Sequence, residues 1–154
     1  MATIKPTLSL VANAESAAAE KGPLSVALNL SAKPKNNTLF VDNVESEIFI
    51  APTGSRTVIV NGSDHIGSGE GGVDGCWIYL KNITGTGTEH IYVGLVQDGD
   101  TATIATNGTG TNRSFTLNDG DFAFFPYDYT GDIIIEGSAA SQKLEMWRFD
   151  RHTS

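Results

Sequence analysis

Short apolar runs, each closed by Gly, Asn, Asp or Pro and spaced roughly ten residues apart, constrain this chain more than any other feature. Leu24, Val26, Leu28 and Leu30 alternate with small and polar residues, the two-residue period of a half-buried strand. Further runs lie at Thr38–Val41, Glu47–Ala51, Thr57–Val60, Cys76–Leu80, Ile91–Val96, Thr101–Ala105, Ile133–Ile135 and Lys143–Phe149. Asn13 to Lys21 is rich in Ala and Glu, which favour helix, but it spans barely two turns and stops at Gly22-Pro23. Many short strands without an amphipathic helix predict an all-β chain. The expected fold is an antiparallel β-sandwich of jelly-roll type, with an immunoglobulin-like sandwich second.

The centre of that sandwich is expected at Ser114 to Pro126. Phe115 and Leu117 alternate with polar neighbours, and Asn118-Asp119-Gly120 has the chemistry of a tight hairpin turn. The return strand, Asp121 to Phe125, is aromatic and is expected to end at Pro126, which donates no ladder hydrogen bond. Alternation places Phe122 and Phe124 on one face and Phe125 on the other. Such aromatic density reads as core, and Tyr127 and Tyr129 read as a surface patch.

Residues 1–31 form the expected N-terminal arm, with strands at Thr7–Val11 and Leu24–Ser31; residues 32–154 form the sandwich domain. Alone, the arm buries little apolar surface. It gains stability by adding a strand to a sheet edge of its own chain or of a neighbour.

Composition narrows the function. At 154 residues the chain is sized for one core. A net charge of −8 argues against nucleic acid and against an anionic membrane surface, both of which demand a basic footprint. Cys76 is the single cysteine, set in an apolar run, and reads as a buried thiol. No signal-like segment or membrane-length apolar run stands out, so synthesis in a cytoplasm is expected.

His65, His90 and His152 show no metal-ligand spacing, and the absence of a His-x-His pattern departs from the cupin barrels. Asp98, Asp100, Asp119, Asp121, Asp128 and Asp132 offer hard oxygens for calcium, but Asp beside Gly is ordinary turn chemistry and no calcium-loop pattern matches. No nucleophile elbow or phosphate loop is present. The chain is therefore expected to be no enzyme and to hold no cofactor.

Met1–Leu10, Gly22–Leu28, Gly120–Pro126 and Leu144–Phe149 together resemble small structural proteins of tailed bacteriophages, marine and cyanobacterial ones especially. The resemblance implies a capsid cement or decoration subunit on the virion surface. Its implied partners are the major capsid protein and further copies of itself, a trimer being favoured. It carries no catalytic residues. The expected contact residues are Leu8, Leu10, Leu24, Val26, Leu28, Tyr127, Tyr129 and Trp147. The alternatives are a tail, neck or fibre-associated subunit, and a carbohydrate-binding module that uses Tyr127, Tyr129 or Trp147.

Overall fold

The structure, a computed structural model, describes residues 2–4, 39–62, 75–100, 104, 112–127 and 131–151. The chain divides into two compact units, Met1–Phe40 and Val41–Ser154. The first contains strand β1 (Ala2–Ile4). Leu8, Leu10, Leu24, Val26, Leu28 and Tyr129 lie outside the described residues, as does most of the expected arm.

The second unit is built from β2 (Leu39–Ala51, which begins just before it), β3 (Thr57–Val60), β4 (Cys76–Asn82), β5 (His90–Val96), β6 (Phe115–Asn118), β7 (Phe122–Tyr127), β8 (Asp132–Gly137) and β9 (Gln142–Arg151). Within this unit the first sheet runs in the order β2-β9-β4-β7 and the second in the order β3-β8-β5-β6, every pairing antiparallel. Every connection except β5 to β6 passes from one sheet to the other. Two four-stranded sheets linked in this way form a jelly roll. No α-helix occurs among the described residues.

Three expectations change. Asn118-Asp119-Gly120 turns the chain as expected, with Asp121 N–H donating to the Asn118 carbonyl at 2.9 Å and Gly120 at φ 81°. The flanking strands, however, do not form a hairpin. β6 pairs with β5 in the second sheet and β7 pairs with β4 in the first, so the turn is a corner between layers. It is held from outside: Gly120 N–H donates to the Asn82 carbonyl, and Asn82 N–H to the Asp121 carbonyl, both at 3.0 Å.

Secondly, Pro126 does not end its strand. β7 continues to Tyr127 because it is an edge strand, where a missing donor costs nothing on the open side. The acidic stretch Asp42–Glu45 likewise does not interrupt β2, which absorbs it with a register shift between Val41 and Asn43.

The core lies between the sheets. Ala51, Cys76, Ile78, Leu80, Leu144 and Met146 descend from the first sheet, and Ile59, Ile91, Val93, Leu117, Ile133 and Ile135 rise from the second. Cys76 is buried, as expected. Fully burying a Leu or Ile contributes about 1.5–3 kcal/mol, so this layer dominates stability.

The outer face of the second sheet is covered as well. Tyr92, Val96, Ile134 and Ile104, the last from the β5–β6 connection, form a smaller buried cluster there. The Arg113 guanidinium sits 4.0 Å from the Tyr92 ring centroid. Gly94 is required by this arrangement, since a Cβ on it would lie 2.4 Å from the Asn112 carbonyl oxygen.

Candidate interaction surface

The outer face of the first sheet is built differently. Its rows can be read from the strand register. One row places Val44, Phe149, Trp77 and Pro126 side by side across β2, β9, β4 and β7. The next places Ser46, Trp147, Tyr79 and Phe124, and the third Ile48, Glu145, Lys81 and Phe122. Ile50 and Lys143 continue the face on β2 and β9. Between these positions Ile78, Leu80, Leu144 and Met146 point into the core, while Glu45 and Glu47 stay exposed at the end of β2 and Arg148 pairs with Glu45 at 3.0 Å.

The rings on this face support one another. Trp77 and Phe124 stack with centroids 5.5 Å apart and planes 9° from parallel. Tyr79 stacks on Phe122, Trp147 stacks on Phe149, and Phe124 meets Phe149 edge-on. Such pairs contribute about 0.5–1.5 kcal/mol each beyond the area they bury, so the face is a fixed platform. The Trp147 indole N–H donates to Glu145 Oε1 at 2.9 Å, which holds the ring's orientation. Partial burial, then the Glu145 carboxylate, push the Tyr79 phenol above its ordinary pKa.

No described segment crosses this platform. Ile48 is 58% exposed, Phe122 55%, Ile50 52%, Val44 41% and Trp147 38%. Isolated exposed apolar residues are normal on a soluble domain. A contiguous sheet face of them marks a surface that something else covers.

Of the contact residues expected from sequence, Trp147 lies on the platform. Tyr127 does not, which corrects the expectation of a surface patch. It is only 3% exposed, belongs to the core, and its hydroxyl donates to the Gly131 carbonyl at 2.6 Å. The reason is parity: Tyr127 shares its face with Phe125, which packs against the core, whereas Phe122 and Phe124 point outward. The aromatic density read as core is thus divided between core and surface. Trp77, Tyr79, Phe149, Val44, Ile48 and Ile50 were not singled out from the sequence. The signal was there in Trp77 and Tyr79, which leave β4 apolar on both faces.

Three of the acidic residues considered for calcium have structural partners. Asp119 accepts from Gly85 N–H at 2.7 Å and Gly87 N–H at 2.8 Å, which holds its carboxyl below the ordinary value. Asp121 accepts from the backbone and side-chain N–H groups of Asn118, and the buried Asp132 from Gly62 N–H. Among the described residues no group of three or more His, Cys, Asp or Glu side chains is placed to hold a metal. His65, His152 and Asp128 lie outside them.

No family model matches this chain, and no curated protein matches it. Two solved structures are similar. One is described as a Bacillus endospore appendage from a family of disulfide-linked pili, with 17% identity over 74% of this chain and 91% of that one, at a TM-score of 0.38. The other is the Yersinia pseudotuberculosis-derived mitogen, with 8% identity over 74% of this chain and 90% of that one, also at 0.38. Likenesses of this size do not bear on function, which is argued below from the platform itself.

Proposed function

We propose that this chain is a structural subunit of a phage virion, a capsid cement or decoration protein that works by covering protein surface and performs no catalysis. The observation that carries the reading is the exposed aromatic platform on the outer face of the first sheet. A domain that covers one outer face with its own chain and leaves the other apolar is suited to bury that second face in an assembly. The sequence resemblance to small phage structural proteins supplies the setting, with the major capsid protein and further copies of the chain as partners. The acidic net charge favours the outside of a DNA-filled shell over its lumen.

Copy number in purified particles tests the reading. Quantitative mass spectrometry is expected to find the chain at a stoichiometry approaching that of the major capsid protein. A few copies per particle would place it in a tail, neck or fibre, and its absence from particles would end the virion reading. A carbohydrate-binding role draws on the same rings, but sugar recognition also needs hydrogen-bonding groups set among them. The three full rows offer Ser46, Glu145, Lys81, the Tyr79 hydroxyl and the indole N–H groups of Trp77 and Trp147, the last already engaged by Glu145, a small polar set for so wide an aromatic face. A glycan array that lights up with the native chain and goes dark with Trp147→Ala would reverse that preference.

A further inference from the structure

We propose that the aromatic platform is covered by a second copy of this chain, face to face, about a twofold axis running close to the strand direction. The inference rests on the reading that this face works by protein contact, and it names the partner. A twofold contact requires a self-complementary surface: if residue i meets residue j, then j meets i. The strand order supplies one. An axis along the strands, passing between β9 and β4, sets each copy's β9 over its partner's β4 and β2 over β7. Because register partners lie at the same height, each row then meets itself reversed.

In the third row this sets Lys81 opposite a partner copy's Glu145, and Glu145 opposite its Lys81, which makes two opposite-charge contacts from one pair of residues. In the second row Tyr79 meets Trp147, ring on ring, and Phe124 meets Ser46, large on small, again twice over. No row sets like charge on like charge. Sheets that pack face to face stay within about 30° of alignment, so the pairing by height survives their twist.

The platform's size sets the strength. Strands about 4.8 Å apart and rows about 6.8 Å apart give a footprint of roughly 400 Å² before side-chain relief is added. Counted on both copies that is about 800 Å², below the roughly 1,200 Å² of stable specific interfaces, so the contact is expected to be weak and concentration-dependent, micromolar at best.

The test exploits the reciprocal charges. Lys81→Glu makes a surface that repels itself, Glu145 now facing the new carboxylate. Glu145→Lys does the same with two ammonium groups. Mixed together, the two variants restore opposite charges at both contacts. Sedimentation equilibrium from about 1 to 100 μM, a range that brackets a micromolar contact, is expected to give a native dimer. Each variant alone should be weakened about tenfold or more, and their mixture should recover as a heterodimer. Circular dichroism checks that both variants fold, and recovery on mixing itself excludes misfolding. A native monomer throughout the range, a trimer indifferent to both charge reversals, or a mixture that does not recover would overturn the proposal. Particle copy number is read separately. A monomer present at shell stoichiometry sinks the twofold contact alone, and a charge-dependent dimer absent from particles sinks the virion reading alone.

Discussion

Replacing Asn82 by alanine should release the corner that carries the chain from the second sheet to the first. Asn82 is fully buried at the end of β4. Its Nδ2 donates to the Leu117 carbonyl at 3.1 Å and, at the limit of 3.5 Å, to the Glu89 carbonyl. Its Oδ1 accepts from Thr84 N–H at 3.1 Å and from the Thr84 hydroxyl at 2.7 Å. One side chain thus ties β4, the approach to β5, and β6 together. Three well-formed bonds at about 1 kcal/mol each, with the small void left by the carboxamide, give an expected loss of about 3–4 kcal/mol. For a domain somewhat above 100 residues that lowers the melting temperature by roughly 12–16 °C.

Urea unfolding followed by tryptophan fluorescence, together with calorimetry, measures this loss. Thr84→Val is the control. It removes the hydroxyl's contacts with Asn82 Oδ1 and Lys143 N–H, and should cost about 1–2 kcal/mol. A loss below about 1 kcal/mol for Asn82→Ala would refute the claim that this side chain pins the corner, leaving the backbone bonds of Gly120 and Asp121 to do so.

Three further outcomes are expected. Gly94→Ala should destabilise by about 2–3 kcal/mol or displace the segment at Asn112, which faster amide exchange across the β5–β6 connection would reveal, because the added methyl collides with the Asn112 carbonyl. Burial holds the Glu136 carboxyl above its ordinary value despite Gly54 N–H and the Arg113 charge; a raised folded-state value means stability is greatest at low pH and is lost as pH rises from the ordinary carboxylate value through the folded one, and a pH series of melting temperatures should find that component absent from Glu136→Gln. Asp119 has the opposite sign: its value is lowered by Gly85 and Gly87 N–H, so the stability it contributes is present above the ordinary carboxylate value and lost as pH falls through the folded one, and Asp119→Asn should flatten the acid limb of the same series.

Fold class was legible because period-2 alternation and turn chemistry are local properties, and β3, β5 and β8 lie where those signals placed them. Partner choice is not local. Asn118-Asp119-Gly120 turns a chain equally well in a hairpin or at a corner between layers, and only the distant β4 and β5 decide which. The platform was hidden for a related reason. Ile133-Ile134-Ile135 and Cys76-Trp77-Ile78-Tyr79-Leu80 both read as strands apolar on two faces, the mark of a strand covered from both sides. For β8 the cover comes from Ile104 of the same chain. For β4 no described segment supplies it, and a strand's own letters do not record whose atoms will lie above it. Tyr127 was misplaced by parity alone, because the Asp121–Pro126 stretch is apolar on both sides and leaves no polar face to orient it.

The place of β9 has a consequence for synthesis. It is the last of these strands to leave the ribosome, yet it sits inside the first sheet, bonded to β2 on one flank and β4 on the other. Until it arrives, β2 and β4 have a gap where a neighbour belongs, and the inner layer of Leu144 and Met146 is missing. The first sheet therefore closes only after β9 has emerged, and a ribosome stalled before Gln142 would hold a nascent chain in which β2 and the β4–β7 pair lack the strand that joins them.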